Sequence, residues 1–501
     1  MGAWQERQYQ SDYLDAISAN WQKGLRRQLM VAPTGSGKGE MFGMMGERAV
    51  KRGKRMVVVA DRRRLIEQLA GRMRKFGVRW HVEMANLPDA SEPGNEWVRH
   101  DPQAPVIVAS RDTLLSRCVR NKWQDLPTVD LVLLDEAHLW DRGQARTLAD
   151  AFGASFVLGA TATPCYGDGT GLGKQNWDVI VEKVTTKQLV SQGFLTPVRY
   201  FAPPELGRKR KAGDKTGVSG DPVKHWMDYA EGKRTVAFLP GVKEAYAVRD
   251  RFRQANVTAE VIEAETPHKD RQRIMSAIAA GDVLWCGGVG TLTTGVDVPE
   301  WEVCQLLIKC GSFSKFRQCG GRIMRTCPEI GKKYGIFLDH SAAVLEHGFL
   351  DEDVPWALED EGDVADRVKK EREDGERANP VCCAKCGCLF AGSPVCPECG
   401  TPIPRRERTA EPDIHRERLV ELDAPQESGC QFALRKQREW TVFLRMCAAK
   451  GWPAKRANVM FKSKFGDWPE NHGVTPTFGR ADRDTPVSEL CPNLIRKKTP
   501  N

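Results

Sequence analysis

No apolar run among the 501 residues approaches the roughly 20 consecutive residues that a bilayer-spanning helix needs, so none is expected. The opening MGAWQERQYQ is polar and charged and lacks the apolar stretch of a secretory signal, so an intracellular protein is expected. Neither sign of charge dominates. The chain has 75 Lys and Arg against 66 Asp and Glu, a net +9, which permits a polyanionic partner without demanding one. A disulfide framework is not expected either. Of the 16 cysteines, Cys118, Cys286, Cys304 and Cys310 sit in or beside apolar stretches, as small buried hydrophobes do, and an intracellular chain keeps its thiols reduced. Two further absences are local. In VAPTGSGKGE, residues 31–40, a glycine is missing at Ala32 and a hydroxyl at Gly39, where the phosphate-binding pattern G-x-x-x-x-G-K-[ST] has them.

What is present has a clear rhythm. From Gln28 to about Thr161, the short apolar runs QLMVAP, RMVVVA, PVIVAS, LVLLDE and FVLGAT alternate with helical patterns such as Gly37–Val50 and Arg63–Phe76. Runs rich in Val, Leu and Ile that end in polar or turn residues suit parallel strands buried on both faces. After residue 234 the rhythm returns with TVAFLP, AEVIEA, VLWCGGV, VCQLLIKC and YGIFLDH. The expected fold class is therefore α/β, with two tandem parallel-sheet domains over residues 1–200 and 201–345. A Gly-, Pro- and Lys-rich stretch near 203–222, with the basic cluster GRKRK at 207–211, reads as a loop or linker. A charged linker or exposed helix is expected over 346–380, a cysteine module over 381–404, a linker with a helical module over 405–475, and a disordered tail over 476–501.

The loop at 32–39 follows an expected strand and opens an expected helix. That context lets backbone N–H groups of Gly35, Gly37 and Lys38 face a phosphate at a helix N-terminus, with Lys38 bridging two phosphates. LLDEAH at 133–138 supplies the complement. Asp135 is placed to hold Mg²⁺ and Glu136 to polarise an attacking water, since two adjacent carboxylates after a buried strand are costly without such a use. Glycine at position 39 leaves room for one more water on the metal. A working ATPase with a raised Mg²⁺ requirement is the expectation.

With these elements the chain resembles a superfamily 2 helicase of the DEAH type, over roughly residues 5–341. RQYQ with Gln10 resembles the motif that reads adenine. VVADRRRLIEQ resembles a motif on the nucleic-acid backbone, GATATP at 159–164 the motif coupling hydrolysis to strand movement, TLTTGVDVP at 291–299 motif V, and QCGGRIMR at 318–325 the pattern Q-x-x-G-R-x-x-R. The resemblance implies two RecA-like domains with ATP between them. Thr34, Gly35, Ser36, Gly37, Lys38, Gly39, Gln10 and Asp297 fall to the nucleotide, and Glu136, Asp135, Lys38, Gln318, Arg322 and Arg325 to catalysis. Arg62, Thr161, Thr163, Thr291 and Thr293 are candidates for nucleic-acid phosphates. An arginine reaching a γ-phosphate across a cleft stabilises transition-state charge, and its planar fork suits phosphate. The motor resembles the branch containing the repair helicases XPB and RadD, and a cysteine knuckle after a compact motor is similar to RadD-like and phage-encoded helicases. DNA is the expected partner and RNA the alternative, as is a non-catalytic binder whose ATP site has decayed at Gly39. The expected setting is the cytoplasm of a bacterial cell or phage-infected host.

NPVCCAKCGCLFAGSPVCPECGTPIP carries two C-x-x-C-G knuckles, so Cys383 and Cys386 pair with Cys396 and Cys399 as a four-thiolate zinc site. Four thiolates leave no open position, so the site is expected to be structural, and Cys382 and Cys388 are spare. Residues 432–448 carry a helical stripe of Phe432, Trp440, Phe443, Leu444 and Cys447, followed by a second helix near 454–465. Trp440, Trp452, Phe461, Phe465 and Trp468 mix there with Lys455, Arg456, Lys462 and Lys464. That composition suits either a grip on single strands or a plain helical module with a basic surface.

Overall fold

The computed structural model describes residues 5–403 and 429–490 apart from 93, 120–127, 141–142, 154–155, 167–168, 174–176, 203–218, 293–297, 355, 359–363, 376, 466–467 and 470–483. The chain divides into two compact units, Met1–Arg405 and Arg406–Asn501.

The first unit holds two lobes. Lobe one runs α1 (Gln8–Gln22), β1 (Arg27–Val31), α2 (Lys38–Lys51), β2 (Met56–Ala60), α3 (Arg63–Lys75), β3 (Trp80–Glu83), β4 (Val106–Ser110), α4 (Arg111–Val119), β5 (Leu131–Leu134), α5 (Gln144–Ala151), β6 (Phe156–Thr161), β7 (Val179–Val181) and α6 (Thr186–Ser191). Its sheet has the order β3-β4-β2-β5-β6-β1-β7, parallel throughout. The central strands are buried end to end because helices cover both faces. One face packs Met30, Val58 and Leu133 under α2 and α3, and the other packs Val57, Val132 and Leu134 against Trp140 and Phe152.

Lobe two runs β8 (Val198–Phe201), α7 (Pro222–Ala230), β9 (Thr235–Phe238), α8 (Val242–Gln254), β10 (Ala259–Ile262), α9 (His268–Ala280), β11 (Trp285–Gly288), β12 (Val303–Leu306), α10 (Phe313–Gly320), β13 (Gly335–Asp339), α11 (Ala343–His347), α12 (Val364–Glu373), β14 (Val381–Cys382) and β15 (Cys388–Phe390). The sheet order is β10-β11-β9-β12-β13-β8-β15-β14. The first six strands are parallel, and β15 and β14 add on antiparallel.

The structure refines the sequence reading in three places. β8 pairs with β13, so the break between the lobes falls before Val198 rather than at residue 200. The cysteine module extends the second sheet: Cys388 and Leu389 pair with Phe201 and Tyr200 of β8. The stretch expected as an acidic linker contains α12, whose Val364 and Val368 are buried in a cluster with Cys165, Phe313 and Val354. Two spaced valines on an otherwise charged helix are enough to seat it.

In the second unit, α13 (Gly429–Ala449), α14 (Ala454–Phe465) and α15 (Val487–Leu490) enclose a core of Trp440, Leu444, Cys447, Phe461 and Val487. Trp440 and Phe461 meet edge to face with centroids 5.5 Å apart, so both serve packing rather than a surface grip. Trp452 stays half-exposed under Arg456, 3.8 Å from the ring centroid, and Lys450, 4.6 Å from it. The side chain of Phe432, GRKRK at 207–211 and most of the expected tail lie outside the described residues.

Candidate functional site

The loop after β1 turns through Gly35 and Gly37, both with φ near +85°, a conformation costly for residues with a Cβ. Space is also short there. A Cβ on Gly37 would lie 2.7 Å from Nε2 of Gln10. Gln10 is buried at the start of α1, where its Oε1 accepts from the Arg7 N–H at 3.1 Å, and the Tyr9 hydroxyl donates to the Ser36 carbonyl at 2.7 Å. Helix α1 thus clamps the loop from behind. Lys38 donates to the Ala32 carbonyl at 3.2 Å.

β5 ends at Leu134 and leads directly into Asp135 and Glu136. Burial first, and the Glu136 charge second, push the Asp135 carboxyl up to about 7, with Lys38 opposing. Glu136 has φ 47°, a left-handed conformation uncommon for a non-glycine, which turns the chain sharply and leaves its N–H on the Asp135 carboxylate at 3.0 Å.

Lobe two closes over this loop. Gly321 abuts Thr34 so closely that a Cβ would come within 2.8 Å, and the stem of Arg325 lies beside Gly35. The Thr196 hydroxyl, just after lobe one, donates to the Met324 carbonyl at 2.9 Å and pins the loop carrying the arginines. A cavity of about 820 Å³ results, lined by Gln10, Gly35, Lys38, Asp135 and Glu136 from lobe one and Arg322 and Arg325 from lobe two.

A chain of hydrogen bonds joins the lobes beside the carboxylates. His138 is buried, which lowers its pKa and keeps it neutral. The Thr161 hydroxyl spends its proton on the Thr163 carbonyl, so it accepts from His138 Nδ1 at 2.8 Å. Nε2 of His138 is then the acceptor for the Gln318 amide, 2.6 Å away. In parallel, the Thr163 hydroxyl meets that of Ser314 at 2.6 Å. Thr161 and Thr163 are therefore fully buried and occupied in this network, which corrects their assignment to nucleic-acid phosphates. Arg62 sits at the start of α3, half-exposed beside Asp61. Thr291 donates to the Ile262 carbonyl at 2.9 Å. Thr293 and Asp297 lie outside the described residues.

Sequence reasoning missed Ser314, which stands one helical turn before Gln318, and named no role for His138, although the motif contains it. It also missed Phe194, which lines the cavity with the Arg7 guanidinium 4.4 Å from its ring centroid. No local pattern marks that residue.

The four sulfurs of Cys383, Cys386, Cys396 and Cys399 all lie within 4.8 Å of one another. Cys383 and Cys399 are 3.7 Å apart and Cys386 and Cys396 3.6 Å. Tetrahedral zinc with Zn–S of about 2.3 Å requires sulfurs about 3.8 Å apart, so the residues fit that ion. Thr401 bonds Cys399 at 3.1 Å through its hydroxyl and holds the thiol down at about 6. Cys382 turns away towards the Ala202 and Gly387 carbonyls, which fixes the first knuckle as Cys383 and Cys386. No disulfide forms among the described cysteines.

A parallel sheet and a second, largely parallel sheet, whose lobes meet at a Gly-Lys loop and a carboxylate pair, define a helicase-like α/β fold. Residues 4–165 match the family described as type III restriction enzyme, res subunit. The 51.5 kDa protein of a Lactococcus phage is 23% identical over 341 residues, covering 66% of this chain and 68% of the phage protein. The putative ATP-dependent helicase IRC3 of Saccharomyces cerevisiae is 23% identical over 356 residues, 64% of this chain, and the match spans only about half (49%) of that relative. Among solved structures, a putative HsdR subunit of a type I restriction enzyme from Vibrio vulnificus superposes with a TM-score of 0.51 at 18% identity, covering 69% of this chain and 66% of that one. The ATP-dependent type ISP restriction-modification enzyme LlaBIII, solved bound to DNA, gives 0.50 at 16% identity, covering 73% of this chain and 29% of that one. These two likenesses concern the fold. Among the described residues, no helix is long and apolar enough to cross a membrane.

Proposed function

We propose that this protein is an ATP-dependent nucleic-acid helicase or translocase of the DEAH type, acting on DNA in replication, recombination or repair. The observation that carries the reading is the single cavity in which Lys38, the Asp135–Glu136 pair and the two arginines of lobe two converge. When bound, Mg²⁺ would neutralise phosphate charge, with Asp135 the residue to hold it. Glu136 orients the attacking water. Arg322 and Arg325 reach the terminal phosphate only when the lobes are together, so hydrolysis and lobe movement are linked. The bonds from His138 to Gln318 and from Thr163 to Ser314 carry that link. The four cysteines hold one structural Zn²⁺ and brace β8. The DNA-bound state of LlaBIII supports DNA as the partner, as does the restriction-enzyme family matched by lobe one.

The test is ATP hydrolysis with single-stranded DNA, forked DNA and RNA side by side. Stimulation by DNA supports the reading. Stimulation by RNA alone replaces it with an RNA helicase, and ATP binding without turnover replaces it with a non-catalytic binder. Glu136→Gln should keep ATP binding and lose turnover. Arg325→Ala should do the same with nucleic-acid binding kept, and normal turnover in both variants would refute the site.

A further inference from the structure

Gly39 stands where a phosphate loop normally presents a hydroxyl, and the space beside it is taken. A Cβ built on Gly39 would lie 3.6 Å from both Cγ and Nε of Arg72. That is ordinary van der Waals contact, so the arginine stem packs directly over position 39. Position 39 is thus not bordered by solvent alone: the Arg72 side chain lies beside it. Arg72 arrives by the helical spacing of α3, which lines the cavity with Leu65, Gln68, Leu69 and Arg72. It is held in place: its guanidinium is 3.0 Å from Oε1 of Glu40, an oxygen that Lys75 also meets at 3.1 Å. The other Glu40 oxygen is buried and has no hydrogen-bond partner, so this carboxylate is engaged on one side only. Arg72 remains a third exposed, beside Gly39 and Glu40 in the first turn of α2.

We propose that Arg72 is a phosphate-binding residue of the nucleotide site, taking over at the Gly39 position the anchoring that a loop hydroxyl exerts through the metal. The proposal rests on reading the cavity as the ATP site. A hydroxyl acts on the phosphates indirectly, as one of several oxygen ligands of a cation. A guanidinium acts on phosphate oxygens directly, with permanent charge and a planar fork. Glu40 keeps it aimed beside Gly39. The consequence is a site whose grip on the phosphate chain depends less on the metal than the loop sequence suggests.

The experiment measures binding of ATP and of adenosine to the full chain, with Mg²⁺ and with EDTA, for wild type, Arg72→Ala, Arg72→Lys and Glu40→Gln. Arg72→Ala should weaken ATP in EDTA by about tenfold or more, the worth of one charge-assisted contact, and leave adenosine unchanged. Arg72→Lys should recover only part of the loss, since a point charge lacks the fork. Glu40→Gln, which removes the ion pair but leaves an oxygen to accept from the guanidinium, should weaken ATP in EDTA by less than Arg72→Ala does, and a larger loss in Glu40→Gln than in Arg72→Ala overturns the proposal. Wild-type ATP affinity in Arg72→Ala overturns the proposal, as does an equal loss of ATP and adenosine. Wild type that binds no ATP under either condition overturns the reading of the cavity itself.

Discussion

Gln318→Leu isolates the bond between the lobes. The substitution keeps the side chain's bulk and removes the amide that donates to His138 across 2.6 Å. His138 is buried and neutral, and its Nδ1 proton is committed to Thr161, so the ring cannot turn to find another partner. Its Nε2 becomes a buried acceptor without a donor. Such a group costs about 1–3 kcal/mol, or roughly 5- to 150-fold in an equilibrium or a rate. The penalty falls on the state in which the lobes touch, because an open form lets water reach the ring. Turnover with nucleic acid present should therefore fall by that factor. ATP affinity, set chiefly by the loop of lobe one, should change little. The assay is steady-state hydrolysis with saturating DNA beside equilibrium nucleotide binding, run as a double-mutant cycle with His138→Ala. A coupling of at least about 0.5 kcal/mol is expected for groups in contact. Additive effects, or wild-type turnover in Gln318→Leu, would refute the argument.

The cysteine module makes a structural prediction. Protein purified without chelators should carry one zinc, Cys396→Ser should lose it, and amide exchange should then quicken in β14, β15 and at the Ala202 N–H, which donates to the Gly387 carbonyl at 2.9 Å. Absence of zinc from the wild-type chain, or unchanged exchange after its loss, would count against this. Stability against acid should depend on His340. Burial pulls its pKa from 6.5 to about 4, with His225 adding to the effect and the Ser219 carbonyl opposing it. The folded form thus takes up its proton later than the unfolded chain, so stability is lost as pH falls from about 6.5 to about 4, by as much as about 3 kcal/mol. Urea unfolding of His340→Gln should show a shallower loss over that window, and an unchanged pH dependence would exclude this histidine as its source.

The sequence by itself determined the elements that follow from local chemistry. Continuous runs such as MVVVA and LVLL suit buried strands, since they are short, rich in Val and Leu, and apolar on both faces. The Gly-Lys loop, the paired carboxylates and the twin C-x-x-C-G knuckles each needed only short spacings to be legible. β3 and β7 escaped because one is a four-residue strand at the sheet edge and the other has three residues, too short for a period to show. The tertiary structure alone decided what lies across the joints. Thr161 and Thr163 look like candidates for a bound strand until Ser314 and Gln318 arrive from lobe two and bury them. The cysteine module looks independent until β15 pairs with β8. Gly39 looks like a vacancy until α3 brings Arg72 beside it. Each depends on residues tens to hundreds of positions apart in sequence. Their meeting is fixed by the packing of whole sheets and helices, a property that no local pattern of residues encodes.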